Sequence, residues 1–239
     1  MKSLQESLLD DDDVLISNQD NFVIEQFLNE NYIISGKYTI EFDKKEKHIA
    51  IVNVLGDVFF KNKDLETLTG DLFTFGEVTG KFYCDQRNTY ESKLKNLKGA
   101  PKIVGDLFDC STCLNLITLE GAPEYCKDFQ CKRCRKLTNL KGGPLRCDDF
   151  CCDECDSLQS LEGAPKDLNN FSCMSCHKLK DLKGAPKRVW DRFDCRCCLN
   201  LKSITGCPKK CRIFSCPGIG KKFTEEEVQA LCKADYIYV

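Results

Sequence analysis

The sequence has no long apolar run and no recognisable leader. None of its apolar stretches approaches the roughly 18 residues that a membrane helix needs. The apolar core of a signal peptide is also missing ahead of the acidic run that begins at Asp10. These absences argue against a membrane partner and against secretion. We therefore expect the protein to act in the cytoplasm of the cell that makes it.

Histidine is scarce, and the usual catalytic spacings are missing. His48 and His177 are the only two histidines, and neither has a Ser, Cys or Asp neighbour in the arrangement of a nucleophile and its base. The glycines recur in Gly-x-Pro corners and do not form a phosphate-binding loop. We therefore expect a protein that is not an enzyme, with no catalytic residues and no cofactor.

What the chain has in abundance is a repeat. Between Pro101 and Cys216 the pattern Phe-x-Cys-x-x-Cys-x-x-Leu-x-x-Leu-x-Gly-x-Pro recurs every 21 or 22 residues. A short fixed period of this kind is the signature of a solenoid, in which one supersecondary unit is stacked several times. The phenylalanines that open the units are Phe108, Phe129, Phe150, Phe171, Phe193 and Phe214.

The period also predicts the architecture of each unit. A unit of 21 residues is too short for a pair of helices, and the Gly-x-Pro corner blocks a helix because proline lacks an N–H. The pattern places Phe and the first Cys on a short strand with both side chains inward. We therefore predict a β-rich solenoid with parallel strands stacked about 4.8 Å apart, so that six units form a rod of roughly 30 Å.

Two segments carry a family resemblance. Leu158-Gln-Ser-Leu-Glu-Gly-Ala-Pro165 and Phe171-Ser-Cys-Met-Ser-Cys176 resemble divergent leucine-rich-repeat-like proteins of bacteria and tailed phages, over roughly residues 55 to 217. The resemblance implies a right-handed, leucine-rich-repeat-like stack and no particular chemistry. The opening segment Met1–Asp10 is similar to the start of some phage proteins from gut bacteria. It implies a phage or prophage origin.

The repeat and the charge pattern divide the chain into four parts. Residues 1–31 carry a net charge of about −7 against −2 for the whole chain. We expect an acidic segment at 1–19, flexible or a short helix, an α/β cap at 20–60, the solenoid at 61–217 and a helical cap at 218–239. The caps are expected because a solenoid must cover its terminal core layers.

Each cap has its own local signals. The N-terminal cap should contain a helix that begins near Asp20 or Asn21, with Phe22, Val23, Phe27 and Leu28 on its apolar stripe. A hairpin should follow, formed by residues 38–42 and 48–54 around the charged turn 43–47. In the C-terminal cap, Thr224 and Glu227 form a capping box ahead of a short helix, and residues 236–239 add a strand.

The 19 cysteines permit more than one interpretation. Disulfides are disfavoured by the odd count and by the expected reducing compartment. Two successive Cys-x-x-Cys pairs have the spacing of a zinc ribbon, so zinc is an alternative. We favour ladders of buried free thiols, because zinc needs four converging thiolates whereas stacked strands run them in parallel rows. The ladder positions, which are also the alternative metal ligands, are Cys110, Cys113, Cys131, Cys134, Cys152, Cys155, Cys173, Cys176, Cys195 and Cys198.

Five of the nine remaining cysteines are assigned by their place in the repeat. Cys126, Cys147 and Cys211 stand where other units have Val or Leu, so we expect them to fill the core. Cys151 and Cys197 fall between ladder positions. We expect them to face outward as ordinary surface thiols. The alternative is a pKa lowered by nearby basic residues such as Arg192 and Arg196.

The function that these patterns favour is protein binding. The outward strand positions mix both signs of charge and form no uniform basic stripe, so we expect a protein partner and no nucleic acid. The charged residues expected to face outward include Asp109, Asp128, Asp149, Asp153 and Asp194 beside Lys132, Arg192 and Arg196. The only tryptophan occupies an insertion in the last full unit, and Trp and Arg are enriched in binding hot spots. The expected surface comprises Trp190, Asp191, Arg192, Asp194 and Arg196. The alternative for Trp190 is that it folds back over the solenoid edge as local packing. The alternatives are a zinc-binding repeat protein and a virion-associated structural or accessory protein of a phage.

Overall fold

The chain folds as a β-solenoid of about eight coils, as the repeat predicts. The computed structural model describes residues 11–42, 50–69, 72–84, 92–218 and 223–239, with side chains from residue 21 onward. The helices are α1 (Asp11–Asn31) and α2 (Glu225–Gln229). The strands are β1 (Tyr32–Phe42), β2 (Ala50–Phe60), β3 (Phe73–Val78), β4 (Phe82–Tyr83), β5 (Ile103–Asp109), β6 (Tyr125–Gln130), β7 (Asp149–Cys151), β8 (Asp167–Leu168), β9 (Asn170–Ser172), β10 (Arg188–Val189), β11 (Arg192–Asp194), β12 (Lys210–Ser215) and β13 (Lys233–Tyr238).

These strands form one sheet that follows the solenoid from end to end. β1 and β2 pair antiparallel, and every later pair is parallel, as expected for coils that repeat one path. The main row runs β2-β3-β5-β6-β7-β9-β11-β12, and β13 continues it beyond β12. The repeat phenylalanines pair with one another across successive strands. The sequence period is therefore also the structural register.

A column of stacked rings runs through the core. Rings of successive coils lie 5.1 to 5.7 Å apart between centroids, with interplanar angles of 6 to 24°. The column consists of Phe82, Phe108, Phe129, Phe150, Phe171, Phe193 and Phe214, all at most 1% exposed. The two leucines of each unit pack into the same core. Both inward predictions for the repeat, Phe and the first Cys, are confirmed, although the first Cys lies one residue past its strand.

The Gly-x-Pro corners replace helices on the return side of each coil. Between residues 92 and 218 the described chain contains strands, turns and bends but no helix. At each corner the glycine has a positive φ and the next residue donates its N–H to the second repeat leucine, as Ala164 does to Leu161 at 3.1 Å. A left-handed glycine at this turn brings the chain round to the next strand within three residues.

The N-terminal block differs from the sequence expectation in detail. The helix begins at Asp11, not near Asp20 or Asn21. Among its side chains described from residue 21 onward, the buried apolar ones are Ile24 and Leu28. Phe22 and Val23 are 67% and 48% exposed, so two of the four residues predicted for the apolar stripe do not face the core. The hairpin is present, with strands longer than predicted. Its turn at 43–47, residues 48 and 49 and the acidic start at 1–10 lie outside the described residues. The capping role of this block stays a prediction.

The C-terminal elements follow their local signals. Thr224 accepts a hydrogen bond from the Glu227 N–H, and the Glu227 carboxylate accepts one from the Thr224 N–H at 2.9 Å, which confirms the capping box. β13 pairs parallel with β12 and confirms the predicted strand, which already begins at Lys233. Among the described residues, neither helix combines the length and apolarity required to cross a bilayer.

Candidate binding surface

The Cys-x-x-Cys segment of each coil is a turn that directs both thiols inward. In each of the five turns, the residue just before the second Cys adopts a left-handed conformation, with φ between 56 and 60°. This conformation is costly for residues other than glycine, by about 1–2 kcal/mol. The sequence pattern did not reveal it. The residues concerned are Thr112, Arg133, Glu154, Ser175 and Cys197.

The second thiol of each turn is bonded to the coil before it. Cys134 Sγ donates to the Cys110 carbonyl at 3.3 Å, Cys155 to Cys131 at 3.1 Å, and Cys176 to Cys152 at 3.2 Å. Each thiol therefore satisfies a buried backbone oxygen at the end of a strand. The cysteine here is both a small core residue and a hydrogen-bond donor between coils.

Burial favours the protonated form of the first thiol in three of these turns. It raises the pKa of Cys110, Cys131 and Cys152 well above the ordinary value. All 19 cysteines are free. Within the described residues, no three side chains of His, Cys, Asp or Glu are grouped as a metal site, so the zinc alternative has no converging donor set there.

Cys151 and Cys197, the two cysteines that fall between ladder positions, have different surroundings. Burial raises the pKa of Cys151 to about 12, with a further contribution from the charge of Asp153, so the alternative of a lowered pKa is wrong for this residue. Cys197 is exposed, but it lies at the left-handed position of a turn and not on a strand. The core role predicted for Cys126, Cys147 and Cys211 is confirmed, since all three are buried.

In four successive coils, the outward side of the strand carries a polar side chain directly before the stacked Phe. We call this row, formed by Asp128, Asp149, Asn170 and Arg192, the strand face. Asp149 accepts from the backbone N–H and the side-chain Nδ2 of Asn170 at 3.0 and 2.8 Å, and Asn170 Oδ1 accepts from the Arg192 N–H at 3.2 Å. A shallow cleft of about 200 Å³ lies along these four residues.

Several carboxylates that were expected on this surface are instead buried. Asp109, Asp153 and Asp194 are 4%, 8% and 3% exposed. Asp153 accepts from the Ser172 hydroxyl at 2.5 Å and from the Met174 N–H at 2.8 Å. These side chains hold the turns that follow the strands, which removes negative charge from the surface. The alternation of inward and outward side chains along a strand does not predict this burial, because the contacts are made where the strand ends.

The five residues of the expected surface are not equivalent. Trp190 is 55% exposed and follows β10, at an insertion that changes the pairing offset between Val189 and Phe193. Asp191 is engaged by the Arg212 guanidinium at 2.6 Å, and the side chain of Arg192 is exposed.

The other two expected residues form a pair. Asp194 is buried beneath Arg196, with 2.8 Å between the Asp194 carboxylate and the Arg196 guanidinium, so Asp194 is not available to a partner. Hydrogen bonding to Asp194 raises the pKa of Arg196. Trp190 and Arg192 are therefore the members of the set that a partner can reach without breaking an ion pair.

A larger depression lies beside the strand face and was not anticipated. It has a volume of about 780 Å³ and is bounded by two successive corners, 142–148 and 163–169, with Tyr125 and Trp190 at its ends. We call it the corner groove. One sequence signal points to it: the residue after each corner proline is charged in the neighbouring coils, as in Glu124 and Lys166, but is Leu145 here. Leu145 is 72% exposed.

The strand face has a measurable electrostatic cost. Burial raises the pKa of Asp128, and the neighbouring charge of Asp149 raises it further. Ionised Asp128 therefore costs the folded state stability as pH rises through the window that begins near the ordinary Asp value of about 3.9. We expect Asp128→Asn to stabilise the protein at pH 7, by less than about 1 kcal/mol because the site is partly exposed. The gain should vanish at pH 3, and thermal melts at both pH values measure it.

Asp64 supplies a control with the opposite sign. Its pKa is lowered by a hydrogen bond from Lys93, whose Nζ lies 2.9 Å away. Asp64→Asn should therefore give no stabilisation at pH 7. Equal shifts for the two variants would contradict a specific effect of burial and Asp149 at Asp128.

His177, the histidine that lies within the described residues, contributes little to a site. His177 is half-buried on the turn after Cys176, and its Nδ1 has no hydrogen-bond partner among the described residues. Its carbonyl accepts from Asn200 Nδ2 at 2.7 Å, which is a structural contact between coils. His48 lies outside the described residues.

Comparison of the chain with protein-family models, with curated proteins and with solved structures found no match.

Proposed function

We propose that the protein is a non-enzymatic binding module and that its strand face, together with Trp190, recognises another protein. The observation that carries this proposal is the strand face itself. Asp128, Asp149, Asn170 and Arg192 stand one per coil on strands that are fixed by the core beneath them. Parallel strands place such side chains about 4.8 Å apart, which gives a rigid, preorganised row of contacts.

The charge of this row favours a protein over a nucleic acid. Asp128 and Asp149 are adjacent in the ladder, and both would repel phosphates. Arg192 lies two coils further along, so a complementary partner would present basic groups to one half of the row and an acidic group to the other. The phage or prophage origin and a place in the virion stay predictions from resemblance.

Reversal of one charge should test this function. Arg192→Glu should reduce capture of the partner from cells that make the protein by at least about tenfold, which corresponds to about 1.4 kcal/mol. The side chain of Arg192 is exposed, so the melting temperature should not change. Partner recovery is measured by quantitative mass spectrometry after affinity purification.

Lys141→Glu is the matched control. Lys141 is also an exposed cation, but it lies on the return side of its coil, 3.2 Å from Glu162. Equal recovery of every captured protein with the Arg192→Glu and Lys141→Glu variants would overturn the proposal for the strand face.

A further inference from the structure

The parallel ladder is interrupted at one place among the described coils. Arg146 pairs with Tyr125 in the coil before it, and β8 pairs with β10 in the coil after it. Between these two coils no described backbone hydrogen bond joins residues 145–147 to residues 166–168, and β8 is the last strand of its row. The ladder resumes one residue later, where the Asn169 N–H donates to the Asp148 carbonyl at 2.6 Å.

The alternation of a parallel ladder identifies the groups that face this gap. Arg146 bonds toward the preceding coil, through Glu124 and Cys126, so the Leu145 carbonyl and the Cys147 N–H point the other way. The Arg188 N–H donates to Lys166 at 3.1 Å and the Trp190 N–H to Leu168 at 2.8 Å, so the N–H and carbonyl of Asp167 face the gap from the opposite side. Two donors and two acceptors of the main chain therefore face this gap without a hydrogen-bond partner among the described residues.

The corner groove lies over this gap, and its rim is amphipathic. Leu145 and Trp190 are exposed apolar side chains at its edge. Asp167 accepts from Arg188 at 2.6 Å, and the Arg188 guanidinium lies 5.3 Å from the centre of the Trp190 ring, so this end of the groove is held in place. Arg146 and Lys166 are exposed on opposite sides and belong to no described ion pair. Asp148 also lines the groove, is exposed and belongs to no described ion pair, so the unpaired charges of the groove sum to one positive charge.

We propose that the corner groove is a docking site for an extended peptide segment of a partner protein. This inference rests on the proposed function and adds a second contact region to it. The peptide's main chain would bond to Leu145, Cys147 and Asp167, as in other additions of an extended peptide to a sheet edge. A bulky apolar side chain would pack between Leu145 and Trp190, and an acidic side chain would lie between Arg146 and Lys166.

The spacing of the strands decides how the peptide lies. Full insertion as a new strand would require the flanking strands to separate to about 9.6 Å, twice the usual spacing. β7 and β9 remain paired from Asp149 and Asn170 onward, only a few residues from the gap. The peptide therefore lies across the mouth of the gap and reaches its main-chain groups from outside.

A displayed library of random seven-residue peptides, selected on the purified full chain, tests the proposal. We expect enriched sequences that combine an acidic residue with a bulky apolar one. Synthetic copies should change the emission of Trp190 saturably, because it is the only tryptophan. Leu145→Asp should weaken their affinity at least tenfold. Arg146→Glu should do the same, and exchange of the peptide's acidic residue for lysine should restore it.

Ile117→Asp is the matched control. Ile117 is also an exposed aliphatic residue, at 55%, and it is not among the residues that line the groove. Leu145 is outside the core, so Leu145→Asp should keep the wild-type melting temperature. Equal affinity of the selected peptides for the Leu145→Asp and Ile117→Asp variants, or no enrichment over an unrelated protein, would overturn the proposal. If Arg192→Glu abolishes partner capture while Leu145→Asp leaves it intact, the groove proposal is wrong and the proposed function stands.

Discussion

Replacement of Phe150 by alanine should lower the free energy of unfolding by about 3–5 kcal/mol. The ring is 1% exposed and lies between Phe129 and Phe171, with centroid distances of 5.1 and 5.7 Å. Truncation removes both stacking contacts and opens a cavity that the flanking backbones, fixed by their ladder bonds, cannot close. Urea denaturation followed by circular dichroism measures the loss.

Phe22→Ala provides the comparison for this prediction. Phe22 is 67% exposed on α1, so its truncation should change stability by less than about 0.5 kcal/mol. A loss below about 1 kcal/mol at Phe150 would show that the ring column does not support the fold. Similar losses at the two positions would lead to the same conclusion.

The repeat made the architecture predictable because one local solution is used in every coil. Phe129 and Cys131 must point inward in their own coil, and the same choice then holds at each copy in register. A prediction from a repeat averages over several units. It is therefore less sensitive to the propensity of any one residue than an isolated helix or strand would be.

The helix at the N-terminus lacks this advantage. α1 begins nine residues before the predicted cap at Asp20 and starts within an acidic run. Carboxylates stabilise the N-terminus of a helix, but in the sequence alone such a run indicates a segment that repels itself. Its buried face is chosen by contact with the hairpin, not by apolar content, and for that reason Ile24 is buried while Phe22 is exposed. The sequence alone contains no signal for that choice.

The candidate site was predictable only in part, for a similar reason. The exposure of Trp190 and Arg192 follows from their place in the period and agrees with the expectation. The burial of Asp194 depends on a hydrogen bond to Arg196 in the following turn, and the corner groove depends on a missing pairing between two coils. Both features depend on contacts between residues that the repeat pattern does not relate. Only the groove has a signal in the sequence, which is Leu145 at a position that is charged in the neighbouring coils.

Gly163→Ala should strongly destabilise the solenoid. Gly163 has φ of 104°, and a Cβ there would lie 2.2 Å from the backbone carbon and oxygen of Leu140 in the preceding coil. Neither the left-handed conformation nor the neighbouring backbone can adjust without displacing the ladder. We expect a loss of more than about 2 kcal/mol, from a strained φ of about 1–2 kcal/mol together with the clash.

The adjacent coil supplies an unusually close control. Gly143 occupies the middle corner position, where three other corners have Ala122, Ala164 and Ala185 and the last has Cys207. Its φ is not positive, and a Cβ there would approach the Leu140 oxygen only to 3.0 Å. Gly143→Ala should therefore change stability by less than about 1 kcal/mol, because it restores the alanine that the repeat already accommodates and lowers the entropy of the unfolded chain. Thermal melts of both variants separate the two effects. If Gly163→Ala melts with the wild type, or if Gly143→Ala is the more damaging of the two, the stacking of corner on corner described for this solenoid is wrong.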